Sequence, residues 1–246
     1  MLMILYYEKM KVLDLFSGTR SLKPICEELG YEYYSLDIKE EATYRTDIMK
    51  WDYKDIDIKF DIIWASPDCI PYSLLTHSWI GRECNGKLVT RFTLEEGMKR
   101  GDKLIEKTFE IIEYFKPKLW FVENPHTGFL KSREIMKDKK YYVTEYCQWG
   151  FEYKKPTCIW TNKEWETKRC FKHTCPAMIP TGKFTKRGLV CRTHKKNLGG
   201  GSYAGLSKYT SGTNKQQQQE KHRIPPDLIR SLISLNQPSQ LSNSDQ

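Results

Sequence analysis

The sequence has no long apolar run. No window of about 18 residues, the length that a membrane-spanning helix requires, is predominantly apolar. The first residues, MLMILYYEKMKVLDLF, lack the basic stretch and the small-residue cleavage site of a secretory signal. We therefore expect a soluble intracellular protein with no membrane partner.

Acidic residues are scarce in the last two-fifths of the chain. Residues 151–246 contain 17 Lys and Arg but only 6 Asp and Glu, whereas residues 1–150 contain 23 and 25. The net charge of +9 therefore originates in the C-terminal part. Such asymmetry is typical of a surface that binds a polyanion, with nucleic acid as the leading candidate. A lysine-rich solvated surface without a partner is the alternative.

A disulfide framework is not needed, although the chain has eight cysteines. The 246 residues are 39% hydrophobic and 13% aromatic, which is enough to bury a full core. Reduced thiols are therefore expected. The polar segment 236–246 is expected to be a disordered tail.

Short apolar runs alternate with segments of helical periodicity between residues 11 and 122. The pattern predicts strands at 12–16, 33–36, 60–64 and 119–122, and helices at 22–29 and 104–115. Alternation of this kind predicts an α/β fold, with a parallel sheet covered by helices on both faces. In such sheets, ligands bind at the carboxyl ends of the strands.

The pattern changes between residues 163 and 215. This segment contains 12 Lys and Arg but only 2 Asp and Glu, and it includes a GGGS stretch. We expect a small irregular basic insert. A final amphipathic helix begins near residue 223, and its apolar face should pack on the main domain; that face comprises Leu228, Ile229, Leu232 and Ile233.

Three polar features follow the first two predicted strands. The turn DLFSGTRS contains Gly18, where backbone N–H groups can approach a ligand closely. Asp37 lies at the end of the next strand and is placed to accept hydrogen bonds from ribose hydroxyls. Asp47 could contact an adenine amino group. These features favour a nucleotide-like cofactor, and ordinary turn residues are the alternative.

Two further segments begin where predicted strands end. In ASPDCIPYS, Cys69 lies on a proline-bounded loop, as a nucleophile does more often than a structural cysteine. In VENPH, Glu123 follows a strand directly, so its carboxylate should lie at the same sheet edge and bind or protonate a substrate. A small hydrophobic residue in a turn and a turn-capping carboxylate are the respective alternatives.

The order of these segments resembles the DNA (cytosine-5)-methyltransferase family, particularly its compact phage-like and virus-like members. The likeness rests on DLFSG, an acid that ends the second strand, SP-x-C-x-x-YS, and ENP. It extends to YCQWGFEYKKPTCIWTN at 146–162 and to HRIPPDLI, which is similar to the family's closing helix. The likeness covers residues 11–162 and 222–233, and the basic stretch between them occupies the place of the target-recognition region.

The resemblance implies roles for the matching residues. Cys69 would be the nucleophile that adds to carbon 6 of cytosine, Glu123 would hold the pyrimidine through its ring nitrogen and amino group, and Asn124 would help to fix that loop. S-adenosylmethionine, the implied cofactor, would be bound by Phe16, Gly18, Asp37 and Asp47.

The resemblance also implies an organisation and a substrate. Residues 1–162, completed by 222–235, would form a Rossmann-like catalytic domain, and residues 163–215 would form the recognition insert. The substrate would be double-stranded DNA with the target cytosine flipped out of the helix, and a monomer is the family's usual state. An RNA cytosine-5 methyltransferase and a catalytically silent DNA-binding protein are the alternatives. Richness in Lys, Tyr and Ile suggests an AT-rich genome, viral or phage.

Two departures from the family pattern concern charge. Asp68 stands where the family usually has proline before the cysteine, and its negative charge is expected to raise the pKa of the thiol unless a cation neutralises it. The usual arginines after the glutamine are absent, because Gln148 is followed by Trp149 and the nearest cations are Lys154 and Lys155. Substrate binding could therefore depend on lysine.

The basic insert also has metal-ligand chemistry. Cys170, Cys175, Cys191 and His194 are spaced C-x4-C-x15-C-x2-H, which suits a tetrahedral structural zinc ion. His173 is a rival ligand, and unconnected free thiols are the alternative.

Overall fold

The structure is a computed structural model that describes residues 8–84, 86–171, 173–196 and 222–234. The strands in chain order are β1 Lys11–Leu15, β2 Glu32–Asp37, β3 Tyr44–Arg45, β4 Ile62–Ala65, β5 Glu83–Cys84, β6 Lys87–Leu88, β7 Leu119–Pro125, β8 Tyr141–Glu145, β9 Pro156–Thr161, β10 Met178–Phe184 and β11 Val190–His194. The helices are α1 Lys23–Glu28, α2 Leu74–His77, α3 Arg91–Phe115 and α4 Pro226–Ile233. None of the helices in these ranges is long and apolar enough to span a membrane.

Seven strands form one sheet in the order β3-β2-β1-β4-β7-β9-β8. The five strands from β3 to β7 in this order are parallel to their neighbours, whereas β9 is antiparallel to both β7 and β8. The predicted α/β fold is thus confirmed, with a Rossmann-like sheet. The antiparallel strand was not predicted. The short 146–155 connection can join antiparallel neighbours, but a parallel pair would need a longer crossover.

Alternate residues of each central strand face opposite sides of the sheet, which creates two cores. Val12 packs in the core that contains α1 and α4, whereas Leu13 and Leu15 pack in the core that contains α3. The apolar face predicted for α4 is fully buried there, at Leu228, Ile229, Leu232 and Ile233. The C-terminal segment therefore packs on the seven-stranded sheet.

Two parts of the chain differ most from the prediction, and other elements differ from their predicted bounds by a few residues. Helix α3 begins at Arg91, where Thr90 and Thr93 form a capping box, because its polar first half carries little of the apolar periodicity used for prediction. The segment predicted to be irregular contains the β10–β11 hairpin, which pairs only with itself among the described strands. Its residues 179–190 are exposed, so no apolar pattern marks the strands. Residues 197–215 of the insert and the 236–246 tail lie outside the described ranges.

The loop after β4 is fixed onto α3 by Tyr72. This side chain is fully buried, and its hydroxyl donates to Asp102 Oδ1 at 3.0 Å. Asp102 in turn accepts from Arg133, with the closest atoms 2.6 Å apart. Gly101 provides the space for the ring, because a Cβ at that position would lie 2.7 Å from the Tyr72 Oη. The cysteine loop is therefore held against the longest helix.

A carboxylate is buried inside β1. Asp14 is 2% exposed and accepts a hydrogen bond from the Tyr33 hydroxyl at 2.8 Å. Burial raises the pKa of Asp14 to about 7, the Tyr33 hydrogen bond lowers it in part, and the charge of Asp37 adds to the rise. A residue that ionises near neutrality therefore borders the carboxyl end of the sheet.

Gly101→Ala should destabilise the protein, because the methyl group would collide with a buried ring that cannot move away. Overpacking of this kind costs about 1–3 kcal/mol of the free energy of unfolding. Gly97→Ala, on the same helix, is the matched control, because the nearest atom to its Cβ is an Arg100 side-chain nitrogen at 3.8 Å. That substitution should stabilise the helix by up to about 1 kcal/mol. Urea denaturation of both variants checks the difference, and equal stabilities would contradict it.

Asp14 should make stability depend on pH. In the folded protein the carboxyl group keeps its proton up to about pH 7, whereas the usual pKa is 3.8, so the folded state binds more protons between these values. Its contribution to the free energy of unfolding therefore falls as the pH rises from about 4 to 7. Asp14→Asn should gain on the order of 2 kcal/mol relative to wild type between pH 5 and pH 8.

Denaturation of both proteins at the two pH values checks this expectation. Asp57→Asn, at an exposed position, controls for the loss of one negative charge. A gain for Asp14→Asn that is the same at pH 5 and pH 8 would contradict the assigned role of burial.

Candidate active site

The turn after β1 contains three residues with positive φ, Phe16, Gly18 and Arg20. Phe16 has φ +59° and Gly18 has φ +47°, so the chain reverses sharply at the strand end. The Ser17 N–H donates to Leu36 O at 3.2 Å, and the Gly18 N–H donates to Asp37 Oδ2 at 2.8 Å. Asp37 thus joins the ends of β1 and β2, and it fixes the turn that was predicted to meet a cofactor.

Cys69 lies in the loop that follows β4 and directly precedes a short 3-10 turn, Ile70–Tyr72. The loop begins beside the first turn, because the Ser66 N–H donates to Leu15 O at 3.2 Å. The Cys69 side chain is half-buried. The loop after β4 and the turn after β1 therefore lie at the same edge of the sheet, in agreement with the sequence prediction that these segments begin where strands end.

Several charges act on the Cys69 thiol. Burial is the main cause that raises its pKa, and the negative charge of Glu123 is the next. Lys155 lowers the pKa, and Asp68 raises it by a smaller effect. Asp68 is exposed, and its Oδ1 accepts a hydrogen bond from the Ile70 N–H at 3.0 Å. The expected direction of the Asp68 effect is correct, but burial and Glu123 are larger causes.

Glu123 and Asn124 lie near the end of β7, directly before its last residue, Pro125. Glu123 is 5% exposed, and its Oε1 accepts hydrogen bonds from the Tyr146 hydroxyl at 2.9 Å and from the Thr157 hydroxyl. Within the described ranges, every hydrogen bond to this carboxylate is made at Oε1. Oε2 is therefore available to a ligand. Asn124 is buried, and its Nδ2 donates to Pro67 O at 3.0 Å, so it ties the cysteine loop to β7.

Two adjacent lysines between β8 and β9, Lys154 and Lys155, lie beside different carboxylates. Lys155 Nζ lies 3.9 Å from Glu123 Oε1 and 4.7 Å from the centre of the Tyr146 ring. Lys154 Nζ lies instead 4.0 Å from Glu145 Oε1 and is exposed. Lys155 is therefore the cation that sequence reasoning required near the cysteine, although spacing alone could not separate it from its neighbour.

One cavity of about 1190 Å³ joins these features. Six of the seven residues predicted for catalysis or cofactor binding line it, namely Phe16, Gly18, Asp37, Asp47, Cys69 and Glu123. Asn124 is not part of the lining, because it is buried behind the loop that it fixes. The volume exceeds the roughly 300–1,000 Å³ of a typical ligand pocket, so a cofactor and a second group can fit together.

Sequence reasoning missed two residues of the cavity wall, Asp14 and His222, and named a third, Lys155, without placing it there. Asp14 was read only as part of a strand, although a carboxylate inside an apolar run is itself a signal. Lys155 was named with Lys154 as a cation on which substrate binding could depend, but its place relative to Cys69 was not predicted. His222 lines the cavity from the C-terminal segment, and Ile224 beside it donates its N–H to Ser21 Oγ at 3.1 Å. No local pattern in the sequence predicts this long-range contact.

A second cluster lies outside the cavity. The ligand atoms of Cys147, Cys170, Cys175 and His194 all lie within 4.8 Å of one another. Three of the four predicted metal-binding candidates are therefore together. Cys191 is not in the cluster. It lies three residues before His194 in β11, and side chains three residues apart in a strand point to opposite faces. Cys147 was missed because it precedes the basic insert by more than 15 residues.

Comparison with known proteins gives one relative at 34% identity over 234 residues, which are 92% of this chain and 100% of the relative. It is the "Probable DNA (cytosine-5)-methyltransferase" of Frog virus 3 (isolate Goorha). No protein-family profile matches the chain.

Solved structures with a similar fold include the Entamoeba histolytica methyltransferase EhMeth, at 15% identity and a TM-score of 0.46, and the S. pombe Dnmt2 methyltransferase, at 13% and 0.40. These matches cover 67% and 65% of this chain and span 57% and 52% of the two solved chains. On the identity and coverage of the frog virus relative, the chain belongs to the DNA (cytosine-5)-methyltransferase family.

Proposed function

We propose that this protein transfers a methyl group from S-adenosylmethionine to carbon 5 of cytosine in double-stranded DNA, through a covalent adduct at Cys69. The observation that carries the proposal is the shared cavity, in which the thiol, a buried carboxylate and the turn after β1 meet. The name of the frog virus relative supports the reaction and the polymer.

The residues around the first turn fit the cofactor. Bound S-adenosylmethionine supplies an electrophilic methyl group on a positively charged sulfur. Gly18 keeps the turn open to a close approach, since its φ of +47° disfavours any side chain. The Asp37 oxygens each accept one backbone N–H, from Gly18 and Lys39, and keep lone pairs for ribose hydroxyls. Phe16 and Asp47 complete this part of the wall and would contact the base.

Cys69 would act as the nucleophile. Carbon 5 of cytosine is not reactive until a thiolate adds to the neighbouring carbon 6. The Sγ–C6 bond would form as the C5=C6 double bond opens, and carbon 5 would take the methyl group as its bond to the sulfonium sulfur breaks and that sulfur becomes a neutral thioether. Loss of the carbon 5 proton to water with cleavage of the Sγ–C6 bond would then restore the ring and free the thiolate. Because burial raises the pKa of Cys69, the thiolate needs a compensating positive charge, which Lys155 provides in part.

Glu123 would hold the pyrimidine during these steps. Its Oε1 is fixed by Tyr146 and Thr157, so the carboxylate cannot rotate when a substrate arrives. Oε2 would accept a hydrogen bond from the amino group of the flipped cytosine, and a proton held between Oε2 and the ring nitrogen would join these two acceptors. Asn124 would fix the geometry indirectly, because it ties the cysteine loop to the strand that carries Glu123. We therefore regard Asn124 as a positioning residue.

The basic region would bind the DNA. Residues 167–219 contain no acidic residue, and the exposed cations of the β10–β11 hairpin include Lys183, Lys186, Arg187 and Arg192. Phosphate contacts from such residues position a duplex and carry most of the non-specific affinity. A stacked base cannot reach Cys69, so the target cytosine would be flipped into the cavity. We also propose a bound zinc ion as a structural cofactor of this region.

Cys69→Ser should abolish methylation. Expressed in a host that lacks cytosine methylation, the wild-type chain should produce 5-methylcytosine in the host DNA, as measured by bisulfite sequencing. The serine variant should lose at least about 10³-fold of the activity, because the hydroxyl is a far weaker nucleophile than the thiolate. Cys84→Ser is the matched control, since this half-buried cysteine does not line the cavity.

Methylation by Cys69→Ser would exclude Cys69 as the nucleophile. Methylation of RNA but not DNA by the wild-type chain would favour an RNA enzyme, and absence of both would favour a silent DNA-binding protein.

Lys155→Gln should make the Cys69 thiol react more slowly at neutral pH. Removal of the positive charge raises the pKa of the thiol further, so less thiolate is present at a given pH. The pH profile of Cys69 alkylation by iodoacetamide, followed by mass spectrometry of its peptide, should shift to higher pH.

Lys154→Gln is the control and should leave the profile unchanged, because this lysine lies beside Glu145 instead. Lys155→Arg should restore much of the wild-type profile. Identical profiles for wild type and Lys155→Gln would remove the electrostatic role.

A further inference from the structure

We infer that Cys147, Cys170, Cys175 and His194 form a structural zinc site that fastens the basic β10–β11 hairpin to the catalytic domain. The ligand set differs from the one that the spacing predicts, because Cys147 replaces Cys191. The inference does not depend on the proposed function, since it concerns metal binding and the position of the hairpin.

The distances between the ligand atoms suit a tetrahedral zinc ion. His194 Nε2 lies 3.5 Å from Cys170 Sγ and 3.6 Å from Cys175 Sγ. Zinc with Zn–S bonds of about 2.3 Å and Zn–N bonds of about 2.0–2.1 Å places sulfur and nitrogen about 3.5 Å apart on a tetrahedron. The whole cluster, including Cys147, fits within 4.8 Å. The side chains thus have nearly the spacing of a bound site.

The surroundings resemble those of a structural site. Cys147 and Cys175 are 1% and 3% exposed. Gln148 Nε2 donates to Cys175 Sγ at 3.3 Å and lies 3.8 Å from Cys147 Sγ, in the way that outer hydrogen bonds orient and stabilise metal ligands. Four protein ligands of the Cys3His type close the coordination sphere, which is typical of zinc that stabilises a fold rather than zinc that binds a substrate.

The other links of the hairpin to the catalytic domain include exposed ones: the Lys196 N–H donates to Glu152 O at 3.0 Å, and Lys195 and Lys196 Nζ lie 3.9 Å and 3.7 Å from the Glu152 carboxylate. Exposed ion pairs contribute little stability, so a metal ion would strengthen the attachment.

The hairpin pairs only with itself among the described strands, and residues 179–190 are exposed. A two-stranded hairpin is marginal in water without a core or a partner. The apolar cluster at its base is small and consists mainly of Cys147, Cys175, Ala177 and Met178. A metal ion would supply the stability that this cluster cannot.

The four ligands join three separate parts of the chain. Cys147 belongs to the short turn Tyr146–Gln148 that follows β8, His194 ends β11, and the other two cysteines lie in the connection between β9 and β10. Cys147 is next to Tyr146, whose hydroxyl holds Glu123. The ion would therefore connect the basic hairpin directly to the segment that fixes the catalytic carboxylate.

Metal analysis of the purified, untagged protein tests the inference. We expect one zinc ion per chain by mass spectrometry of the metal, and a cobalt-substituted form with the thiolate charge-transfer absorption of a tetrahedral site. Cys147→Ser and Cys175→Ser should each bind zinc at least tenfold more weakly in competition with a chelator. Cys191→Ser is the matched control and should retain one zinc ion, although the sequence spacing assigns it as a ligand.

Three results would overturn the inference. They are wild-type protein without stoichiometric zinc, full zinc retention by Cys147→Ser, or a disulfide among the three thiols, seen as a mass lower by two hydrogens without reductant. Loss of zinc in Cys191→Ser but not in Cys147→Ser would establish the other ligand set.

A second measurement applies if the serine variants fail to fold. Removal of zinc from the wild-type protein with a chelator should speed proteolytic cleavage within the hairpin at least tenfold, while the seven-stranded sheet stays protected. Unchanged cleavage of the hairpin would contradict its attachment by a metal ion.

Discussion

Parallel pairing of β2, β1, β4 and β7 brings the ends of four strands to one edge of the sheet. Each strand contributes one segment of the proposed site there: Asp37 ends β2, the turn at Gly18 follows β1, Cys69 follows β4 and Glu123 lies near the end of β7. Two hydrogen bonds across this edge then fix the loops relative to one another, from Gly18 to Asp37 and from Asn124 to Pro67. A shift in register of any of these strands would separate the thiol from the carboxylate and the cofactor turn.

The electrostatic state of Cys69 follows from the same convergence. Burial and the negative charge of Glu123 both disfavour the Cys69 thiolate, so the carboxylate that we propose binds cytosine also opposes the proposed nucleophile. Lys155 opposes that effect, because it lowers the pKa of Cys69 and its Nζ lies 3.9 Å from Glu123 Oε1. Asp68, the unusual residue beside the cysteine, faces solvent and acts mainly on the loop through Ile70.

The sequence predicts the parallel strands and most of the cavity because these features are local. Apolar runs identify β1, β4 and β7, and polar residues at the strand ends identify Gly18, Asp37, Cys69 and Glu123. The features that it does not predict depend on contacts between distant segments. Lys155 and Lys154 are indistinguishable until β9 pairs with β7, and the Cys147 thiol meets His194 only after a solvent-exposed hairpin folds back. The hairpin itself has no apolar alternation, because no core lies beneath it.

In the proposed reaction, Cys69 attacks the cytosine that Glu123 holds. A DNA duplex in which 5-fluorocytosine replaces cytosine can trap this adduct, because fluorine at carbon 5 cannot leave as a proton does and the adduct accumulates. In the presence of S-adenosylmethionine, the account predicts a stable protein–DNA complex whose cross-linked peptide maps to Cys69. No complex with DNA that the active enzyme methylates, or a cross-link at a different residue, would contradict it.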